Sequence, residues 1–383
     1  MIVRRFLLWC RTATARQRAE AVPTLAHAYL HGELSPDDRA EAETALTAML
    51  DDASPLVRRA LAEALADEPA PRHLVVALAQ DQSDVAALVL ARSPVLCDAD
   101  LVDCAALGDG LVQTAIALRP RLSVVVCAAL AEVAEAEALA ALAGNPNAEI
   151  APTSLARMIE RHGGHGPLRE ALLARPDLPL DLRQAVLRAL AASLSAFVAE
   201  RGWLPAERVE RLSREARERT TLALSARSGG EEVRRLVRRL REAGELTPAL
   251  ILRALLSRAC AFVEAAFAEL AGLPGERAAG LLREPGGFAA LCRRAALPAA
   301  LQPAFLAARG AIGPWPAVDE DVRLCRKAVA AVLAACDGLP PEEAGRVAAL
   351  LRRFEAEAAR EEAAAAAHSL AEDAALATVL EQV

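Results

Sequence analysis

A short phrase that ends one run of periodic apolar residues and begins another recurs through the first half of the chain. Its clearest copy spans residues 49–58, where the polar turn Asp51-Asp52 is followed by Ser54-Pro55. Related copies occupy residues 78–85, 118–120, 142–146 and 173–177. Helical units separated by such turns are typical of a stacked repeat array, and these arrays usually present a surface to other molecules. The phrase therefore predicts an architecture and a binding role, without naming the partner.

Composition favours an all-α fold. The 383 residues are 54% hydrophobic and only 3% aromatic, and alanine and leucine supply most of the apolar content. Both have high helix propensity, and runs of alternating β-branched residues, which would indicate strands, are scarce. The tract at residues 122–127 is rich in valine but continues into an alanine-rich run, so we predict helix there too. With 25% charged residues, we expect a folded, soluble protein.

Helix start signals accompany the phrase. Ser35-Pro36 and Ser54-Pro55 each offer an N-cap followed by proline at the first helical position, and Pro152 opens a later helix. Two helices recur roughly every 30 residues, a shorter period than the ~40 residues typical of HEAT repeats. One helical hairpin cannot bury its own apolar face, so neighbouring hairpins must stack. We therefore predict an α-solenoid over residues 34–200.

Breaker sequences divide the rest of the chain. Gly202-Trp203-Leu204-Pro205 and Gly313-Pro314-Trp315-Pro316 are the two main boundaries, and we expect Trp203 and Trp315 each to close the end of a helix layer. From residue 342 to 373 there are eight acidic residues and four arginines. We expect this tail to be a plain surface helix, with a clasp onto the central arginines as the alternative. The predicted segments are a helical lead at 1–33, the repeat array at 34–200, an arginine-rich then apolar helical domain at 201–312, and C-terminal helices with an acidic tail at 313–383.

Six short proline-containing phrases lie between residues 90 and 298. They read LARSPVL at 90–96, AIALRPRLS at 115–123, LAGNP at 142–146, RPDLP at 175–179, LTPAL at 246–250 and RAALP at 294–298. These phrases resemble the motifs of an uncharacterised HEAT-like family common in alphaproteobacteria, a domain of unknown function. The resemblance covers most of residues 35 to 310. It implies a helical, HEAT-like bacterial protein, and it supplies no catalytic residues. Together with the predicted segments, we expect a HEAT-like α-solenoid followed by a C-terminal helical domain.

The strongest charge feature is an arginine cluster between residues 201 and 241. This segment holds twelve arginines and six glutamates, whereas the whole chain has a net charge of −7. Such a face can bind phosphate, an acidic protein or anionic lipid head groups. The alternative is a solvated helix face tied by glutamate–arginine pairs four residues apart, which is the simpler interpretation. The candidate anion-binding residues are Arg208, Arg211, Arg214, Arg234, Arg235, Arg238 and Arg239.

The leading functional prediction is a non-enzymatic scaffold or regulatory module that binds a protein partner on the solenoid surface. Five arginines near the repeat turns are the candidates for one polar wall of its groove: Arg58, Arg59, Arg92, Arg119 and Arg157. The alternative is a peripheral membrane protein or nucleic-acid-associated protein that uses the cluster at 201–241. A third alternative is an enzyme, but the sequence has no P-loop, no nucleophile elbow and no cysteine pair with zinc spacing. We therefore assign no catalytic residue.

Histidine and cysteine patterns give little support for a metal or cofactor. His27 and His31 are four residues apart, and His162 and His165 flank two glycines, but a third ligand is missing in both places. The simpler interpretation of Gly163 is the glycine that ends the helix opened by Pro152. The eight cysteines form no C-x-x-C pair, and there is no secretory signal or long uncharged apolar segment. We expect no cofactor, no metal, no integral membrane segment and a cytoplasmic location.

Overall fold

The computed structural model describes residues 2–315, 322–336 and 341–380, and most of these residues are helical. Within these ranges there are 22 α-helices, one short 3-10 helix and no strand, with one isolated bridge between Leu122 and Ala148. The predicted all-α class is confirmed. Internal contacts divide the chain into unit 1, Met1–Leu178, and unit 2, Pro179–Val383.

Unit 1 consists of twelve helices within its described residues. Their bounds are α1 Ile2–Cys10, α2 Ala15–His31, α3 Pro36–Met49, α4 Pro55–Leu65, α5 Arg72–Ala79, α6 Ser83–Arg92, α7 Asp98–Leu107, α8 Gly110–Ala117, α9 Val124–Val133, α10 Ala136–Gly144, α11 Pro152–His162 and α12 Gly166–Ala174. The predicted starts at Pro36, Pro55 and Pro152 are confirmed. Ser35 caps α3 by accepting from the Asp38 N–H.

Unit 2 holds the remaining helices of the described chain. They are α13 Leu180–Glu200, α14 Ala206–Ser225, α15 Gly230–Glu242, α16 Pro248–Leu256, α17 Cys260–Ala271, α18 Gly275–Arg283, α19 Pro285–Arg294, α20 Gln302–Ile312, α21 Arg326–Cys336 and α22 Pro341–Leu380. The 3-10 helix Ala299–Leu301 precedes α20.

The helices of unit 1 alternate between two layers. Each even-numbered helix from α2 to α10 packs against the next even-numbered helix, and α7, α9 and α11 pack in the same sequential way. Short loops make successive helices antiparallel, so the loops fall at two opposite edges. We call the loops at 11–14, 50–54, 80–82, 108–109, 134–135 and 163–165 the cleft edge. The loops at 32–35, 66–71, 93–97, 118–123, 145–151 and 175–178 form the proline edge.

A ladder of buried polar residues holds the proline edge together. Its members directly precede a proline and are Ser93, Arg119, Asn145 and Arg175. Each of the last three donates to the backbone carbonyl of the ladder residue before it and to a last-turn carbonyl of the preceding even-numbered helix. Last-turn carbonyls have no intrahelical partner, so these side chains satisfy groups that would otherwise be buried without a hydrogen bond. We call this set the proline ladder.

An ionic ladder connects the loops of the cleft edge. The Arg18 guanidinium binds both carboxylate oxygens of Asp52 at 2.7 and 2.8 Å. Arg58 in turn donates to the Asp52 carbonyl at 2.7 Å and binds both carboxylate oxygens of Asp81 at 2.6 and 2.9 Å. These four side chains are largely shielded from solvent, which makes bidentate pairs of this kind stronger than surface ones. Two copies of the recurring phrase thus supply the acids of this ladder.

Acidification is expected to destabilise unit 1. Hydrogen bonds from Arg18 hold the pKa of Asp52 below its usual range. Burial raises the pKa of Asp81, but the hydrogen bonds from Arg58 and the Gln82 N–H outweigh burial, so the pKa of Asp81 is also lowered. A carboxylate with a lowered pKa stabilises the fold above its unfolded value of about 3.9, and that contribution is lost as the pH falls through the folded value. The free energy of unfolding should therefore fall below about pH 4 in urea titrations.

The unfolding of unit 1 is followed by Trp9 fluorescence in a chain that carries Trp203→Phe and Trp315→Phe. Asp52→Asn should lower the stability near neutral pH and reduce its dependence on acid. The exposed Asp103→Asn is the matched control and should keep the dependence. An equal acid-induced loss in the Asp52→Asn variant would contradict the ionic ladder.

The described residues of unit 2 share a hydrophobic core. Phe262, Phe267, Phe288 and Phe305 are fully buried, and the Phe267 ring packs edge-on against two of the others.

Leu180 belongs to this core, and α13 packs against α14 and α15. The unit boundary therefore falls before α13, whereas the sequence places the end of the array near residue 200. The predicted limits at 33, 200 and 312 coincide closely with helix ends, and as domain limits they stay predictions.

A buried ionic group connects the C-terminal helix α22 to α16 and α14. Arg253 of α16 is 1% exposed and binds both carboxylate oxygens of Glu357 on α22 at 2.7 Å. It also donates to Glu218 on α14 at 2.9 Å and lies 4.8 Å from the centre of the Phe354 ring. The expectation of a plain surface helix is therefore wrong for this part of the tail, because Glu357 is buried against a cation. We call Arg253, Glu218 and Glu357 the buried triad.

The two tryptophans predicted to close helix layers, Trp203 and Trp315, differ in their burial. Trp315 is half-buried and donates to Glu264 at 2.8 Å, as expected of a residue that closes a helix layer. Trp203 is 65% exposed, so the same prediction is wrong there. The turn that holds Trp203 joins α13 to α14, and the Trp203 ring packs edge to face against Phe197 of α13 rather than into a helix layer.

Candidate functional site

A cleft in unit 1 opens at the cleft edge. It has a volume of about 610 Å³ and lies between the α5–α6 loop and the α7–α8 loop. Cavities of this size are within the usual range for ligand and peptide sites. The lining residues that carry its chemistry are Asp81, Ser83, Asp103, Cys104, Leu107 and Asp109.

One hydrogen-bonded group fixes the two sides of the cleft. The Ser83 hydroxyl at the start of α6 donates to Asp109 at 2.6 Å. Asp109 is also the N-cap of α8, where its carboxylate accepts the N–H groups of Leu111 and Val112 at 3.1 Å each. The Ser83 bond and these N–H bonds hold the pKa of Asp109 below its usual range. The cleft therefore carries an ionised, well-oriented carboxylate.

Large apolar side chains are exposed beside the cleft. Leu107 is 91% exposed at the end of α7, and Leu111 is 51% exposed at the start of α8. Val133 is also exposed at the end of α9, and the next loop is tied to α8 because the Glu135 N–H donates to Gln113 at 2.9 Å. A cluster of exposed apolar residues next to a cleft is typical of an interaction surface.

The cleft is acidic. Asp81 is neutralised by Arg58, but no ion pair within the described part of the chain involves Asp103 or Asp109. The residues that line the cleft include no arginine, lysine or histidine. Negative charge beside exposed leucine fits a ligand that combines a cation with an apolar group.

Cys104 lies in the same cleft as a thiol. Burial raises the pKa of this thiol, and its Sγ donates to the Ala79 carbonyl at 3.7 Å. A thiol held in this protonated form is a poor nucleophile. The arrangement is therefore suited to binding rather than to nucleophilic chemistry at Cys104.

The five arginines predicted for partner binding do not lie on one wall. Arg58 belongs to the ionic ladder of the cleft edge, and Arg119 is 8% exposed in the proline ladder of the opposite edge. Both have structural roles, which corrects the prediction for these two. Arg59, Arg92 and Arg157 are partly exposed and pair with carboxylates at 3.8, 3.2 and 2.8 Å. The partners of Arg59 and Arg157 lie on neighbouring helices, and the partner of Arg92 lies in the α4–α5 loop.

Six of the seven predicted anion-binding arginines are exposed on α14 and α15, and Arg239 is half-buried. Arg214 pairs with Glu210 at 3.0 Å, as the spacing predicts, while Arg234 binds Glu231 and Arg239 binds Asp181. Within the described residues, no ion pair is formed by Arg208, Arg211, Arg235 or Arg238. The face is thus partly neutralised, which favours the interpretation of a solvated helix surface.

The histidine pairs do not assemble a ligand set. The rings of His27 and His31 lie 4.8 Å apart, and His31 pairs with Glu68 at 3.4 Å. Over the described ranges, no group of three or more histidine, cysteine or acidic residues could hold a metal ion. α11 does end before Gly163, but this glycine has φ −59° and does not use the left-handed conformation expected of it.

Comparison with known proteins identifies the family of this helical protein. A family profile described as an uncharacterised protein conserved in bacteria, DUF2336, matches residues 85–342. The chain belongs to DUF2336. No curated protein and no solved structure gives a significant match.

The DUF2336 match starts later and reaches further than the resemblance at 35 to 310 predicts. It contains the proline ladder, most of the cleft and two members of the buried triad, Arg253 and Glu218. Glu357, the third member, lies beyond its end. By length and composition, one helix of the described residues, Leu180–Glu200, could cross a membrane, and a single such helix is weak evidence.

Proposed function

We propose that this DUF2336 protein is a non-enzymatic, cytoplasmic scaffold whose unit 1 is a HEAT-like solenoid that binds a protein partner along the cleft edge. The observation that carries the proposal is Leu107, 91% exposed beside an acidic cleft of about 610 Å³. Burying one leucine contributes about 1.5–3 kcal/mol, enough to make it an anchor for a partner. The protein needs no cofactor for this role.

The partner is expected to present an arginine or lysine next to an apolar side chain. The cation would lie near Asp103 and Asp109, which lack basic partners in the described part of the chain, and the apolar group would cover Leu107. Asp103 lies within α7 and Asp109 caps α8, so both carboxylates are held by regular helix backbone and little conformational freedom is lost on binding. This chemistry replaces the predicted wall of arginines.

A lipid or nucleic-acid partner on the arginine cluster is the weaker proposal. Three of its seven candidate residues, Arg214, Arg234 and Arg239, already bind carboxylates. Paired arginines offer less charge to phosphate, and phosphate contacts dominate the affinity of nucleic-acid-binding proteins.

Selection of a displayed peptide library on the purified full chain tests the proposed function. We expect enriched peptides to combine a basic residue with a leucine or aromatic residue. Leu107→Asp should weaken their binding by about 30-fold, as loss of a buried leucine worth about 2 kcal/mol implies. The measurement is a titration by fluorescence anisotropy.

Val125→Asp is the matched control, because Val125 is an apolar residue that is 62% exposed in the first turn of α9, next to the proline edge. It should leave the affinity unchanged. Asp103→Arg should weaken binding of the basic peptides and increase its dependence on the peptide's charge. Equal affinity of wild type and the Leu107→Asp variant, or selected peptides without basic residues, would overturn the proposed site.

A further inference from the structure

Two adjoining cavities of unit 2 lie along the contact between α13 and α14. The polar cavity, of about 190 Å³, has four charged residues in its wall: Arg214, Arg217, Glu218 and Glu245. The apolar cavity, of about 240 Å³, is lined mainly by Leu187, Leu190, Ala191, Leu194 and Ala216. Gln184, Arg217 and Thr221 line both cavities. Because neither cavity alone reaches the roughly 300 Å³ of a usual small-molecule site, a ligand of ordinary size would occupy both.

The Gln184 side chain is a buried amide without a hydrogen bond. It is only 7% exposed, and no group in the described part of the chain bonds to it. A buried amide that makes no hydrogen bond destabilises the fold, so most such groups in folded proteins are paired. Since Gln184 borders both cavities, a ligand in them would supply the missing partner.

Arg217 is a half-buried cation that forms no ion pair within the ranges that the structure describes. The two carboxylates of the polar cavity are already paired. Glu218 binds Arg253 at 2.9 Å, and Glu245 binds Arg188 at 3.0 Å. The free charge in the shared wall is therefore positive. A guanidinium without a counter-ion, next to an amide that can donate, forms a site for an anion, and its planar fork matches a carboxylate best.

The apolar cavity extends this site along α13. From Gln184 to Leu194 the helix rises by about 15 Å. Leu187, Leu190 and Ala191 are half-buried, and Leu194 is 56% exposed. Residues 189–199 carry no charge. One hydrocarbon chain laid along this wall would remove its apolar surface from water, which favours binding.

We propose that the groove formed by the two cavities binds a single-chain fatty acid. Its carboxylate lies on Gln184 and Arg217, and its hydrocarbon chain lies along the leucines of α13. Phosphate alone would leave the leucines uncovered, and an uncharged hydrocarbon would leave both polar groups unpaired. A bilayer surface fits less well, because both polar groups are at least half-buried between two helices. The site is in unit 2 and does not depend on the protein partner proposed for unit 1.

Isothermal titration calorimetry of the full chain with dodecanoate tests the site. We expect saturable binding at a single site. Arg217→Met should weaken it by about tenfold or more, because hydrogen bonds from a charged donor are lost. Arg211→Met is the matched control and should bind as the wild type does, since Arg211 is exposed on the same helix and lines neither cavity. Dodecanol, which lacks the carboxylate, and acetate, which lacks the chain, should both bind more weakly than dodecanoate.

A second variant separates a ligand site from a structural role of the amide. Gln184→Leu removes the unpaired polar group at similar size, so it should weaken dodecanoate binding while the melting temperature of the free chain stays equal or rises. A lower melting temperature would show that the amide stabilises the fold and would contradict its assignment to a ligand. Leu107→Asp should leave dodecanoate binding unchanged, which distinguishes this groove from the cleft of unit 1.

Two results would overturn the proposal. One is the absence of dodecanoate binding, and the other is equal affinity of the wild type and the Arg217→Met variant. Vesicles of phosphatidylcholine and phosphatidylglycerol supply the competing outcome. Binding to them that Arg217→Met weakens, by a chain that does not bind dodecanoate, would assign the groove to a membrane instead. Circular dichroism confirms that each variant is folded.

Discussion

Glu357→Leu is expected to lower the free energy of unfolding of unit 2 by about 3–5 kcal/mol. The substitution leaves Arg253, which is 1% exposed, as a buried cation that has lost its bidentate partner. Glu218 compensates only in part, because burial raises the pKa of this carboxyl despite the nearby guanidinium. Urea unfolding, followed by Trp315 fluorescence in a chain with Trp9→Phe and Trp203→Phe, measures the effect.

Two further variants separate this explanation from simple disruption of α22. Glu361→Gln removes the exposed pair with Arg219 and should change the stability by less than about 1 kcal/mol. Replacing the whole buried triad, with Arg253→Met, Glu218→Gln and Glu357→Leu, should recover most of the lost stability, since no buried charge remains unpaired. A triple variant as unstable as the Glu357→Leu variant would contradict the role assigned to the unpaired cation.

Arg119→Met is expected to destabilise unit 1 by about 2–4 kcal/mol, because hydrogen bonds from a charged donor are lost and buried acceptors are left unsatisfied. The guanidinium donates to the carbonyls of Leu90 and Ser93, two groups within the buried proline edge. Arg119→Lys should recover only part of the loss, since an ammonium group lacks the planar fork that spans two carbonyls. Urea unfolding followed by Trp9 fluorescence measures the change.

Arg121→Met supplies the control for that experiment, because Arg121 is exposed two residues further along the same loop. Its effect should lie within about 0.5 kcal/mol, as for most surface substitutions. Amide hydrogen exchange adds a local test: Arg119→Met should accelerate exchange in the last turns of α6 and α8 more than in α2. Uniform acceleration throughout unit 1 would contradict a local role for the ladder.

The candidate site was poorly predictable. The sequence pointed to arginines, whereas the cleft depends on Asp103, Leu107 and Asp109. One local signal was present: Leu107-Gly108-Asp109-Gly110 places a large apolar residue directly before a turn with a strong N-cap. The exposure of Leu107 depends on how far the neighbouring loops extend over it. The helical periodicity of the sequence does not determine that distance.

The buried triad could not be predicted from local sequence patterns either. Arg253 looks like one charged residue in an apolar helix, and Glu357 like one of many acids in the tail. They are 104 residues apart, and only the packing of α22 against the core brings them to 2.7 Å. Sequence spacing identifies ion pairs within one helix, such as Glu210–Arg214, but not pairs across helices.

The sequence by itself determined the helices of unit 1 and where they end. Ser-Pro starts and polar-Pro stops act within a few residues, through capping and the fixed φ of proline, so their effect needs no tertiary contact. Only the tertiary structure decided that the recurring phrase has two roles. Asp52 and Asp81 serve the cleft edge, while Arg119, Asn145 and Arg175 serve the opposite one. The reason is that antiparallel helices send alternate turns to opposite edges, where the partners of each turn come from the preceding hairpin rather than from its own helix.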